Sequence, residues 1–188
     1  VKLGGRLAMA SSLAEIFLLE YGQWPERNAG WGEVDAEALK TMLPVHNMVF
    51  DALNRAPDVA AARGGAMLRA IRSSLLAEAG ARVIIYAGHD TNIANLGGLL
   101  DLHWDIPEQG HNAIPPGGAL LFTLWENAPG RREIRASFLA PTLETLHAPS
   151  PGGEPVILDA GLLCGGAPCT PEAFSLLTER MPAAHENP

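Results

Sequence analysis

Cationic side chains are scarce. There are 13 Lys and Arg against 21 Asp and Glu, a formal net charge of −8 and a sequence pI of about 5.2. A nucleic-acid binder normally carries a basic patch. Here the cations are scattered, with no dense cluster, so nucleic acid is excluded as a partner. Long apolar runs are also lacking; none approaches the ~20 residues that cross a bilayer as a helix. Aromatic residues make up only 6% of the chain. The four tryptophans (Trp24, Trp31, Trp104 and Trp125) are dispersed, which fits packing better than a stacking platform. There are two cysteines, Cys164 and Cys169, close together in a Gly/Pro-rich loop. That pair offers too few ligands for an ordinary metal site. It reads either as a small-loop disulfide, which implies an oxidising compartment, or as two unrelated buried thiols. No other metal-ligand spacing and no Walker-type loop occurs, so no cofactor is implied. The opening Val1-Lys2-Leu3-Gly4-Gly5-Arg6 has neither the apolar stretch nor the cleavage site of a signal peptide.

What is present describes a folded chain. Its 188 residues suit one domain or a large part of a bigger one. A chain of this size hides roughly 70% of the surface its unfolded form exposes. Hydrophobic residues are 47%, charged residues 18%, and mean hydropathy is +0.08. That composition excludes intrinsic disorder. Twenty glycines and 15 prolines promise many turns, and their lack of a three-residue period excludes collagen.

Along the chain the helices come first and the sheet second. Residues 1–80 read as a helical part and residues 81–188 as part of an α/β sheet domain. Ser12-Leu13-Ala14-Glu15 has capping-box form ahead of Ile16, Phe17 and Leu19. Asp35 is placed to cap a second helix, with Pro44 expected to kink it and Pro57 to stop it. A third helix is expected from near Asp58 to Gly80, with Gly64-Gly65 as a candidate break. Val83-Ile84-Ile85-Tyr86-Ala87 is a short β-branched apolar run, the pattern of a strand covered on both faces. A tight turn, Gly88-His89-Asp90-Thr91, leads into a helix over residues 92–100. Residues 119–125 and 133–139 suggest a hairpin, residues 156–158 another strand, and Thr170-Pro171 the cap of a last helix. The fold class is therefore α/β: a helical segment followed by part of a mixed, mainly parallel sheet.

In open α/β sheets ligands bind beyond the carboxyl ends of the strands. His89 and Asp90 occupy that place, where the following helix directs unpaired N–H groups and partial positive charge. An imidazolium there can hold an anion, and a carboxylic acid beside it can deliver a proton. The structural alternative is that Asp90 merely caps the helix and His89 is a satisfied turn residue.

The stretch Ala87-Gly88-His89-Asp90-Thr91-Asn92-Ile93-Ala94-Asn95-Leu96-Gly97-Gly98 resembles the signature around the second conserved histidine of the histidine acid phosphatases. Pro115-Pro116-Gly117-Gly118, Leu13 to Glu20, Trp31-Gly32, Leu43-Pro44-Val45-His46-Asn47 and Arg55 to Ala60 resemble the same family in the same order. The likeness is strongest to its bacterial periplasmic phytases and glucose-1-phosphatases. It covers nearly the whole chain, and it likens the Cys164/Cys169 loop to a C-terminal disulfide of the phytases. The family's nucleophile sits in an Arg-His-Gly-x-Arg-x-Pro motif. None of the six histidines here is preceded by Arg and followed by Gly. The chain accordingly resembles a C-terminal half, with the nucleophile expected from an N-terminal half of the same protein. The sheet is expected to be incomplete to match, and the chain inactive by itself.

The resemblance implies a phosphomonoesterase working through a phosphohistidine, with His89 and Asp90 as the catalytic pair and a periplasmic location. A bound phosphate's charge favours the protonated form of a neighbouring carboxyl, so activity in acid is expected. Phytate, glucose 1-phosphate and generic monoesters fit equally well. Thr91 can donate to substrate or to the helix terminus. Arg63 lies four residues before Met67, on the expected inner face, where an Arg needs an anionic partner; the resemblance makes that partner the substrate. His46 falls on the apolar stripe of the second helix, as a core histidine or, by resemblance, a pocket residue. Glu15 is either the capping partner of Ser12 or, again by resemblance, a substrate contact. The rival readings are a non-catalytic phosphate- or sugar-phosphate-binding module and a different α/β enzyme using the same pair.

Overall fold

The computed structural model describes residues 4–78, 80–148, 154–160 and 163–179. In chain order it contains α1 (Gly5–Gln23), α2 (Ala36–Asn54), α3 (Pro57–Leu75), α4 (Asp90–Leu100), β1 (Asp105–Ile106), β2 (Gly110–His111), β3 (Ala119–Ala128), β4 (Arg131–Ala140), α5 (Leu143–His147), β5 (Val156–Asp159) and α6 (Pro171–Glu179). β1 and β2 pair antiparallel, and β3, β4 and β5 form a second sheet with β4 in the middle. Only Pro129 and Gly130 join β3 to β4, a connection that forces an antiparallel hairpin. The chain is thus mixed helix and sheet, and the pairings that can be assigned a direction are short and antiparallel. Two compact units form, both discontinuous in sequence: residues 1–53, 104–119 and 139–158, and residues 54–103, 120–138 and 159–188.

In the first unit Leu18, Tyr21, Ala29, Leu39, Leu43 and Leu143 make a buried cluster, with Phe17, Val34 and Leu146 packed against it. α1 begins at Gly5, so Ser12 lies inside the helix and caps nothing. Asp35 does cap α2: its Oδ1 accepts from the Ala38 amide at 2.9 Å. α2 runs through Pro44 as one helix, with that proline on its exposed side. Buried amides tie α2 to the β1–β2 segment. Asn47 Nδ2 donates to the Gln109 carbonyl at 2.9 Å, and Asn112 Nδ2 donates to Asp51 Oδ2 at 2.6 Å. Lys40 Nζ binds Glu37 at 2.6 Å and Glu108 at 2.8 Å. Hydrogen bonds first to Glu108 and then to Glu37 hold its ammonium pKa above the ordinary value. The packing expected of the tryptophans holds for Trp104 and fails for Trp31. Trp104 is buried and donates Nε1–H to the Ala113 carbonyl, whereas Trp31 is 92% exposed.

The second unit is built on the close packing of α3 and α4. α3 stays continuous through Gly64-Gly65 and ends at Leu75, short of Gly80. The two glycines are buried, so they mark a helix interface where a break was expected. A Cβ on Gly64 would lie 3.0 Å from Asn95 Cβ and 3.1 Å from Leu99 Cδ1. On the other side, a Cβ on Gly98 would lie 2.5 Å from the Arg55 carbonyl oxygen and 2.8 Å from its Cα. Asn95, 1% exposed, donates Nδ2–H to the Asn54 carbonyl at 2.7 Å. Arg55 in turn donates from Nη2 to the Leu102 carbonyl just past α4. β4 alternates here as a half-buried strand should, with Ile134, Ala136 and Phe138 buried. Phe174 of α6 is fully buried beside Phe122, and Thr170 caps α6 through the Ala173 amide. Cys164 and Cys169 form a disulfide. It anchors a loop whose Cys169 carbonyl accepts from the Ile134 amide at 2.8 Å.

One expected strand does not form. Residues 83–87 carry no strand pairing, and Val83, Ile84, Ile85 and Tyr86 are 76%, 47%, 86% and 43% exposed. A strand exists only through the backbone of a neighbour, and the described residues supply none here. The Tyr86 hydroxyl meets Ser74 Oγ and the Ala70 carbonyl. α1 likewise leaves Met9, Leu13, Ile16 and Leu19 exposed. Among the described residues no helix is long and apolar enough to cross a membrane, and no cluster of three or more His, Cys, Asp or Glu could hold a metal.

The α3–α4 interface gives a stability test. Replacing Gly98 with Ala forces a methyl against backbone that cannot rotate away. Overpacking of this kind costs about 1–3 kcal/mol. Gly98→Ala should therefore lower Tm by several degrees in a thermal melt, whereas Gly80→Ala, with nothing within 4 Å of the added Cβ, should leave it within about a degree.

Candidate active site

α4 places the His-Asp pair. Its N-cap is His89, with extended backbone at φ −114° and ψ 166°, and Asp90 is the first helical residue. The structural alternative, Asp90 as the cap, is thus displaced by one position. Asp90 Oδ1 accepts from the Thr91 amide at 2.6 Å, and its negative charge lies in the helix's first turn, where the macrodipole favours it. His89 is exposed; Asp90 and Thr91 are half-buried. An exposed imidazole and a half-buried carboxyl on consecutive residues, at the positive end of a helix, can together meet an anionic ligand and transfer a proton to it.

Two further residues complete this turn, and the sequence reading assigned them no role. Asn92 Oδ1 accepts from the His89 amide at 2.9 Å, while the Asn92 amide donates to the His89 carbonyl, also at 2.9 Å. A Cβ on Gly88 would lie 2.8 Å from Asn92 Oδ1. The legible signal was the spacing: an N-cap followed three residues later by an acceptor side chain is the capping-box pattern.

Arg63 belongs to the same unit, one residue before the Gly64 that faces α4. It is exposed, contrary to the expectation that it points inward. The helical phase explains this: Ala60, Ala61, Gly64, Gly65, Leu68 and Ile71 form the buried face, and Arg63 flanks it on the solvent side.

His46 and Glu15 belong to the other unit. His46 is half-buried, stacked on Phe50 with ring centroids 5.5 Å apart. Its Nδ1 lies 3.4 Å from Ser11 Oγ and 3.3 Å from the Ser11 carbonyl. Glu15 is half-buried one turn further along α1, on the same helix face as Ser11. Since Ser12 is no cap, Glu15 has no capping role. The structure therefore brings together His89, Asp90, Thr91 and Asn92 in one unit, and Ser11 with His46 in the other.

Relatives of known structure share this fold. The phytase of Citrobacter braakii superposes with a TM-score of 0.81 at 30% identity, covering 96% of this chain and 50% of its own. Hafnia alvei phytase, in a complex with myo-inositol hexakis sulphate, gives a TM-score of 0.79 at 29% identity over 98% of this chain and 50% of its own. In sequence, the phytase AppA of Escherichia coli K12 is 38% identical over 164 residues, 80% of this chain and 37% of the relative. The glucose-1-phosphatase of Salmonella typhimurium LT2 is 29% identical over 137 residues, 69% of this chain and 32% of the relative. The chain thus spans about a third of the curated relatives it matches and about half of the solved phytases. The profile that matches residues 23–138 takes in α2, α3 and α4 together with the His89-Asp90 turn, and by that match the chain belongs to the histidine phosphatase superfamily, branch 2.

Proposed function

We propose that this chain supplies the His-Asp half of an acid phosphomonoesterase, in which the nucleophilic histidine comes from a polypeptide segment outside these 188 residues. The observation that carries the reading is the His89-Asp90 pair at the start of α4 in a histidine phosphatase fold. Hydrolysis through such a site proceeds in two displacements. The incoming histidine nitrogen bonds to phosphorus as the ester P–O bond breaks, and Asp90 gives its proton to the departing alkoxide. Water then attacks phosphorus, Asp90 takes its proton, and the P–N bond breaks. His89, as the imidazolium, offsets charge on the phosphoryl oxygens through both steps. Arg63, Thr91, His46 and Glu15 are proposed substrate contacts. Arg63 is free of the buried face, and Glu15 is free of the capping role that would have occupied it. The substrate class is a phosphomonoester; phytate and glucose 1-phosphate are its first candidates, from the names of the relatives.

The nucleophile-bearing partner also accounts for residues 83–87. Four consecutive exposed apolar side chains, directly before the His89 turn, suit a strand that gains its neighbours from another segment. The Cys164–Cys169 disulfide supports a periplasmic or other oxidising location.

The test combines this chain with an N-terminal region of a family member that carries the Arg-His-Gly-x-Arg-x-Pro motif, by co-expression or fusion, and follows p-nitrophenyl phosphate hydrolysis. Turnover should appear with a maximum in acid, and Asp90→Asn should lower kcat about 10²–10⁴-fold. His89→Ala should lower it about 10²–10³-fold. A maximum in alkali, or unaltered turnover in Asp90→Asn, removes Asp90 from the mechanism. Phosphate binding without turnover in every combination favours a phosphate-binding module, a reading the lack of an Arg-His-Gly among the six histidines also favours.

The same mixture tests the docking strand. Amide hydrogen exchange across residues 83–87 should be fast in the chain alone and slow by at least about tenfold once the segment is bound, as new backbone hydrogen bonds form. Exchange that stays fast while turnover appears would show that the segment docks elsewhere.

A further inference from the structure

We propose that Asn92 is a positioning residue for the His89-Asp90 pair, and that Gly88 is glycine to leave room for it. The inference rests on the phosphatase reading of that pair and adds how the pair is aimed. Asn92 closes a reciprocal link with His89: its side-chain Oδ1 accepts from the His89 amide at 2.9 Å, and its own amide donates to the His89 carbonyl at 2.9 Å. Both polar groups of the His89 backbone are thereby engaged by one residue. With its N–H and C=O both fixed, His89 has little freedom in φ or ψ, and those two angles set the direction of the Cα–Cβ bond from which its imidazole projects. They also set where the chain enters α4 at Asp90.

The link is local, and its cost is visible in Gly88. That residue has no left-handed backbone angle, so conformational freedom does not explain it. Space does. A side chain there would begin 2.8 Å from Asn92 Oδ1, inside van der Waals contact. A Cβ at this position would push the Asn92 acceptor off its bond to the His89 amide. His89 is exposed and residues 83–87 carry no strand pairing, so nothing upstream in the described chain holds this turn in the sheet manner. The Asn92 side chain does that work from the downstream side.

The distinction from ordinary helix capping is experimental. Asn92→Leu keeps the volume and removes the acceptor; Asn92→Asp keeps the acceptor. In the full chain, labelled for NMR, His89 amide exchange should quicken about tenfold in Asn92→Leu, the loss of one intramolecular hydrogen bond. Asn92→Asp should restore it. Exchange at Leu96, Leu99 and Leu100 should match the parent in both, which reports an intact α4. Gly88→Ala should reproduce the Asn92→Leu result with Asn92 still present. In the enzyme assembled with the nucleophile-bearing segment, Asn92→Leu should lower kcat about 10–100-fold, the penalty of a displaced catalytic group. KM should move far less, and Asn92→Asp should recover kcat.

Unaltered His89 exchange in Asn92→Leu would overturn the proposal, as would Asp failing to rescue Leu or kcat staying level while exchange quickens. Failure of the phosphatase reading looks different: Asp90→Asn turns over normally while the exchange effect of Asn92→Leu persists.

Discussion

The arrangement around His89 depends on how closely α4 is approached by its neighbours. Gly64 lets α3 come up to Asn95 and Leu99, and Gly98 admits the Arg55 peptide. A methyl group at Gly98 would run into that peptide, and one at Gly64 would make Asn95 and Leu99 give way by a few tenths of an ångström. A helix held at this distance by two glycines and a buried Asn95–Asn54 hydrogen bond has little room to slide or roll. Its first residue is therefore fixed in space by packing several residues downstream. That is how an exposed pair at a helix start obtains a defined geometry although the segment before it is unpaired. The glycines act at a distance, by fixing the axis along which Asp90 is presented.

The other unit reaches rigidity by a different route. Its β1–β2 segment is short, and Glu108 and Asn112 take left-handed backbone angles of 70° and 51°. Such angles are uncommon for residues with a Cβ, though Asn tolerates them, and polar contacts accompany both. Asn47, Asp51, Gln109 and Asn112 interlock through side-chain and main-chain hydrogen bonds, and Lys40 holds Glu108 from α2. From the same α2, His46 reaches Ser11 on α1. Polar satisfaction does there what glycine-mediated contact does around α4.

Much of this was legible in the residues, and what was not has physical causes. Asp35 and Thr170 announce their helices because a cap is a local event within four residues. The His-Asp turn was legible for the same reason, and its flanking motif pointed to the family. The start of α1 was misplaced because Ser12 and Glu15 have capping-box spacing, yet Gly5 to Ser11 continue the helix with an apolar face that the described residues leave bare. Gly64-Gly65 read as a break because a sequence does not state which helix will press against it. Arg63 was assigned to the wrong side by a phase error of about one residue, which on a helix is 100°. Residues 83–87 have every local preference of a strand, but a strand is a relation between segments, and preference alone cannot supply the second one. The roles of Asn92 and Gly88 became visible only when the acceptor and the missing Cβ were seen to share one volume.

The bare stretch at residues 83–86 bears on the life of the chain in a cell. Chaperones and proteases recognise unfolded proteins by short, extended, uncovered apolar segments, and Val83, Ile84, Ile85 and Tyr86 present that signature within a folded molecule. A stretch left bare in this way is a ready template for edge-to-edge pairing between copies of the chain.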